Sequence, residues 1–86
     1  MRPVTIYTRG FCGYCTRALA LLRRKGVAFT EIDIGCVPGA REEMIQRALG
    51  RRTVPQIFVG DTHIGGCDDL HALEREGRLD GLLTGT

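Results

Sequence analysis

Residues 4–34 read VTIYTRGFCGYCTRALALLRRKGVAFTEIDI, and this stretch decides the fold. Val4 to Thr8 is rich in β-branched and aromatic residues and follows Pro3, which suits a first strand. After Cys12-Gly-Tyr-Cys15, apolar residues fall at positions 15, 18, 19 and 22, a spacing that places them on one face of a helix. Arg17, Arg23 and Arg24 take the opposite face, and Gly26 stands where a left-handed cap would end the helix. The pattern predicts a helix over about 14–25. Val27 to Ile34 alternates imperfectly between apolar and polar residues and reads as a second strand. A strand–helix–strand unit makes the two strands parallel and implies a right-handed crossover.

Downstream, Pro38 and Gly39 break the chain; Met44, Ile45, Ala48 and Leu49 then recur at helical spacing, with Glu42 and Glu43 in the first turn, where the helix dipole favours them. This second helix is expected to end at Gly50. Gln56–Val59 and Thr62–Gly65 read as two short strands around the turn Gly60-Asp61. Asp68 and Asp69 mark the start of a last helix with Leu70 and Leu73 as its apolar stripe and Gly77 as its end; Leu79, Leu82 and Leu83 add a short final turn. The order β-α-β-α-β-β-α predicts an α/β fold, a four-stranded mixed sheet flanked by helices, with residues 1–86 as one domain.

Composition narrows the function. An apolar fraction of 43% and a charged fraction of 26% fit a folded globular chain rather than a disordered one. The net charge is only +2 and the arginines are scattered from Arg2 to Arg78, which argues against a nucleic-acid or membrane-surface role. No apolar run approaches the roughly 18 residues of a membrane span, and the chain opens directly on strand-like residues without a signal segment. Cys12 and Cys15 therefore read as a redox or metal pair in a reducing, cytoplasmic setting rather than as part of a secreted disulfide framework.

The pair carries the chemistry. Cys12 falls just before the first helix and Cys15 three residues on, so both sulfurs come to one side of its first turn, a geometry that allows a reversible disulfide. Unpaired N–H groups and the positive dipole end at a helix start favour a thiolate at Cys12, and Arg9 adds positive charge nearby. Cys15, beside Ala18 and Leu19, is better placed as the shielded, resolving thiol. Zinc would call for a second close pair of ligands, whereas Cys36, Cys67, His63 and His71 stand apart in sequence. The pair alone does not separate thioredoxins, glutaredoxins and disulfide isomerases.

Three further segments do separate them: Tyr7-Thr8-Arg9 leading into Cys12-Gly13-Tyr14-Cys15, Thr53-Val54-Pro55, and Gly65-Gly66-Cys67-Asp68-Asp69-Leu70. Together, and in this order from Val4 to about Leu83, they resemble the glutaredoxin family, in particular the short bacterial dithiol glutaredoxins. The resemblance implies a thioredoxin-like fold with Pro55 as a cis-proline beside the cysteines, and Cys12 and Cys15 as the catalytic pair of a glutathione–disulfide oxidoreductase. It implies that Val54 offers its backbone to the cysteinyl peptide of glutathione and that Thr53 and Tyr14 border the same groove. Gly66 would allow close backbone approach, Asp68 would receive the α-amino group of the γ-glutamyl end, and N–H groups around Cys67 would hold its carboxylate. Arg9 would pair with the glycyl carboxylate, with Arg41, Arg51 and Arg52 as weaker candidates.

The implied partners are glutathione as co-substrate, disulfide-containing or glutathionylated proteins, and glutathione reductase indirectly through the glutathione pool. No tightly bound cofactor, metal, nucleic acid or membrane is expected, and the protein is expected to act as a monomer. One position departs from the family pattern: Gly13 stands where proline is usual. Some glutaredoxins without that proline hold a [2Fe-2S] cluster between two subunits through the first cysteine and glutathione. A cluster-carrying dimer using Cys12 is therefore the alternative function. Cys67 is a candidate for oxidation or glutathionylation, Cys36 is expected to be structural, and His63 and His71 are expected at the surface.

Overall fold

A computed structural model of the chain describes residues 2–85. Its elements are β1 (Val4–Thr8), α1 (Gly13–Arg24), β2 (Phe29–Asp33), α2 (Ala40–Arg47), β3 (Gln56–Val59), β4 (Thr62–Gly65), α3 (Cys67–Arg75) and α4 (Leu79–Thr84). The strands form one sheet in the order β2-β1-β3-β4, with β1 parallel to β2 and antiparallel to β3, and β3 antiparallel to β4. The mixed four-stranded sheet expected from the sequence is thus the one that forms.

Strand alternation divides the core in two. Side chains of a strand point to opposite faces in turn, so Val4 and Ile6 of β1 join Ile57 and Val59 of β3 on one face, against Ala18, Leu21 and Leu22 of α1 and Leu70 of α3. Tyr7 and Phe58 point the other way and pack with Met44 and Ala48, from α2 and its end. Fully burying a large apolar side chain contributes roughly 1.5–3 kcal/mol, and Ile6, Leu22, Ile57, Leu70 and Leu79 are all 0% exposed. Both faces of the sheet are covered by these contacts.

Several boundaries differ from the sequence pattern for local reasons. β2 stops at Asp33 because its carboxylate accepts the Gly35 N–H at 2.8 Å while its carbonyl accepts from Cys36 and Val37, a turn that diverts the backbone from the ladder. α2 ends at Arg47, ahead of the expected Gly50, since Leu49 and Gly50 both take positive φ, 56° and 95°. The final turn is a full helix, α4, which buries Leu79 and Leu83. Lys25, just past α1, fastens it: the ammonium lies 2.8 Å from Glu74 of α3 and 2.8 Å from Asp80 of α4.

Candidate active site

Cys12 closes the loop that leaves β1 and is the N-cap of α1, in extended backbone (φ −112°, ψ 108°), with its sulfur accepting the Cys15 N–H at 3.2 Å. A cap normally uses an oxygen to take this orphan donor, and here a sulfur does so. Cys12 Sγ also stands 3.9 Å from the Val54 carbonyl, so the loop before β3 faces it directly. Both cysteines are unbridged, Cys12 half-buried and Cys15 3% exposed. Burial first, and the hydrogen bond to Cys12 second, push the Cys15 thiol up to about 12. The two sulfurs, three residues apart, therefore have opposite characters: one accessible and capped by a donor, one shielded and held as a thiol.

Two adjoining clefts flank this sulfur. One, of about 340 Å³, is bordered by Tyr14, Thr53, Val54, Pro55, Gly66, Cys67 and Asp68. The other, of about 470 Å³, contains Cys12 with Arg9, Tyr14, Thr53 and Val54, together with Arg41 and Arg52. They share Tyr14, Thr53 and Val54, so every candidate site residue except the buried Cys15 lies along one groove that passes Cys12. The Val54–Pro55 peptide bond is cis. A larger groove of about 770 Å³ between α1, α3 and α4 shares no lining residue with these clefts and is lined in part by the paired Lys25, Glu74 and Asp80.

Charges are divided along the groove. At the start of α3 it is Asp69, not Asp68, that caps the helix: its carboxylate accepts the Gly66 N–H at 2.8 Å and takes Arg51 Nη1 at 3.3 Å. Asp68 is exposed and makes no hydrogen bond or salt bridge among the described residues, so its carboxylate remains open to a cationic ligand group. Arg9, Arg41 and Arg52 are likewise exposed and without carboxylate partners among the described residues, at the opposite end. A ligand with an ammonium at one end and a carboxylate at the other matches this polarity.

A sequence model of the glutaredoxin family matches residues 4–64, the segment that holds the cysteine pair, the cis-proline and all four strands up to Ile64. The chain belongs to the glutaredoxin family. Its role is therefore thiol–disulfide oxidoreduction. It is 58% identical to a glutaredoxin of Pseudomonas aeruginosa over 84 residues, 98% of this chain and 99% of that one. Among solved structures it matches a glutaredoxin from Brucella melitensis at 60% identity and a TM-score of 0.85, covering all of this chain and 94% of that one. A buckwheat glutaredoxin in complex with glutathione matches at 32% identity and a TM-score of 0.88, over 98% of this chain and 78% of that one. The fold is thus thioredoxin-like.

The structure of this glutaredoxin also corrects some expectations. Cys36 is exposed on the turn after β2 and contributes no core packing. His63 and His71 are half-buried and bonded rather than simple surface residues. His71 Nδ1 lies 2.9 Å from the Cys67 carbonyl and 3.4 Å from the Cys67 sulfur, and burial raises the Cys67 thiol. Two features had no sequence signal. Phe11, immediately before Cys12, is fully exposed in a left-handed backbone (φ 57°), and Ile34 lines the cleft beside Arg9.

Proposed function

We propose that this glutaredoxin reduces glutathione mixed disulfides and protein disulfides, with the Cys12 thiolate as nucleophile and glutathione as electron source. The observation that carries the reading is the capped sulfur of Cys12 in the middle of a groove with a free carboxylate, Asp68, at one end and free guanidiniums, Arg9 first, at the other. Glutathione has the complementary order: an α-ammonium at the γ-glutamyl end, a thiol in the middle and a glycyl carboxylate. Its γ-glutamyl carboxylate would meet the N–H groups that open α3 at Cys67 and Asp68, and its cysteinyl backbone would pair with Val54 as a strand pairs with an edge.

In deglutathionylation, the Cys12 thiolate attacks the glutathione sulfur of the mixed disulfide. A Cys12–glutathione disulfide forms and the substrate leaves as a thiolate. A second glutathione, as thiolate, attacks the bound glutathione sulfur, yielding glutathione disulfide and restoring Cys12. With a protein disulfide, Cys12 becomes joined to one substrate sulfur and releases the other. Cys15 then loses its proton, attacks the Cys12 sulfur and expels the second substrate thiolate. The resulting Cys12–Cys15 disulfide is reduced by two glutathiones. Once Cys12 is in a disulfide it no longer burdens Cys15 with its charge, so the resolving thiol ionises more readily at the step that uses it. The cycle returns to the dithiol in a reducing compartment, the cytoplasm, and needs one copy of the chain.

The deciding experiment couples turnover of a hydroxyethyl-glutathione mixed disulfide to glutathione and glutathione reductase, with a visible spectrum of the freshly isolated protein. Saturable turnover by a colourless protein is expected. A coloured dimer with negligible turnover would replace this reading with the [2Fe-2S] carrier, whose motive is Gly13, an exposed position with open space around it.

A further inference from the structure

Thr53 and Val54 serve the groove through the placement of their backbone, yet Thr53 is exposed and lies in the connection between α2 and β3, outside any ladder. Its restraint comes from below. Gln56, the first residue of β3, is 0% exposed, and its amide Nε2 donates to the Thr53 carbonyl at 3.0 Å and to Thr53 Oγ1 at 3.2 Å. A carbonyl only accepts, so the amide nitrogen must face Thr53 and the amide oxygen must face away. That oxygen lies 2.7 Å from His63 Nε2 on β4. It follows that His63 carries a proton on Nε2 and donates it.

His63 is itself fixed. Its ring stacks on Phe58 with centroids 4.9 Å apart and planes at 25°, and the Arg47 guanidinium lies 4.1 Å from the centroid of the same Phe58 ring. Arg47 in turn donates to Tyr7 Oη at 2.9 Å. Among the described residues no buried side-chain nitrogen or oxygen is left without a partner, so the chain of bonds is complete. It runs from β4 through the buried amide of β3 to the groove, and only its Thr53 end borders the groove.

We infer that His63 is a positioning residue: acting through Gln56, it holds Thr53 and Val54 in the place where the groove needs them. The substrate named for that groove rests on the glutathione reading above; the positioning rests on the bonds just described. Without the His63 donor the Gln56 amide is free to turn, Thr53 loses a fixed partner, and the Val54 backbone that faces Cys12 becomes less ordered. Chemistry at the sulfur itself is untouched, so the loss falls on binding.

The test compares three variants. His63→Phe keeps a ring for Phe58 but has no donor, Gln56→Met keeps the buried volume but has no amide, and His63→Gln brings an amide nitrogen close to where Nε2 sits. In the coupled assay His63→Phe and Gln56→Met should raise KM for glutathione about three- to tenfold, the span of a single intramolecular hydrogen bond, with kcat changed less than about twofold. Backbone amide exchange in residues 48–54 should quicken in both relative to β1 and β3, and His63→Gln should restore both readouts. An unchanged KM and unchanged loop exchange in His63→Phe would overturn the inference. So would a His63→Gln as impaired as His63→Phe, or a kcat and melting temperature that fall as KM rises. If the wild-type protein is not saturated by glutathione, the substrate reading fails; the exchange measurement then decides the relay by itself.

Discussion

Serine at position 12 and serine at position 15 should have very unequal effects, and the structure gives the scale. In Cys12→Ser the one remaining thiol of the pair is Cys15, 3% exposed and pushed up to about 12, chiefly by burial. An ordinary thiol near 8.5 is about 3% ionised at pH 7, whereas a thiol at 12 is ionised to about one part in 10⁵, a deficit of more than three orders of magnitude. Removing Cys12 deletes two contributions to that rise, its hydrogen bond and its charge, but leaves burial, the largest. The substrate must also reach a sulfur that the helix shields. Turnover of the hydroxyethyl-glutathione mixed disulfide by Cys12→Ser should therefore fall by at least about 10³-fold. Cys15→Ser keeps the accessible sulfur and its backbone N–H cap, and should retain activity within about tenfold of wild type while losing reduction of protein disulfides. Iodoacetamide alkylation against pH provides an independent reading, with Cys15 in Cys12→Ser reacting at half-maximal rate only well above pH 9. Comparable turnover in the two variants, or alkylation of Cys15 with an ordinary thiol profile, would refute the division of roles.

Proline at position 13 should be accepted, because Gly13 opens α1, has nothing within 4 Å of its would-be Cβ, and follows a Cys12 already in the extended backbone that precedes proline; Gly13→Pro should stabilise the protein by about 0.4–1 kcal/mol in urea titration. Gly65→Ala should do the reverse, costing at least about 2 kcal/mol, since φ is +116° there and the new Cβ would press into the Asp69 carboxylate that caps α3. Burial raises both Cys15 and Cys67, so the folded protein binds more protons than the unfolded one at alkaline pH. Reduced-state stability should be full below about pH 8.5 and decline as pH rises toward the Cys15 value of about 12, with a shallower decline in Cys15→Ser; equilibrium denaturation across that range measures it.

Much of the fold could be read from residue pattern alone because the pattern is local. The face of α1 at positions 15, 18, 19 and 22, the glycine at 26 and the Gly60-Asp61 turn each specify their element without help from elsewhere. Three leucines in a short stretch carry little periodicity, so the helix α4 is not legible in the pattern; the contact of Leu79 and Leu83 with the main core stabilises it. The site divides in the same way. Cys12 as a cap follows from its place before the helix, whereas the choice of Asp69 over Asp68 as the cap of α3 depends on the direction of each side chain and on Arg51, which arrives from eighteen residues earlier. His63 had no sequence signal beyond an alternating strand, because its role depends on a glutamine on the neighbouring strand and an aromatic ring beneath it.

Lys25 is the chain's one lysine, and it is spent as a fastening between α1, α3 and α4. Apart from the N-terminus, an amine-directed tag, crosslinker or acyl donor therefore has a single address on this molecule, and that address lies away from the redox groove. Acylation there would discharge the ammonium and set Glu74 and Asp80 against each other. Labelling through amines would thus read out, or loosen, the seating of the C-terminal helix while leaving the thiols unmarked.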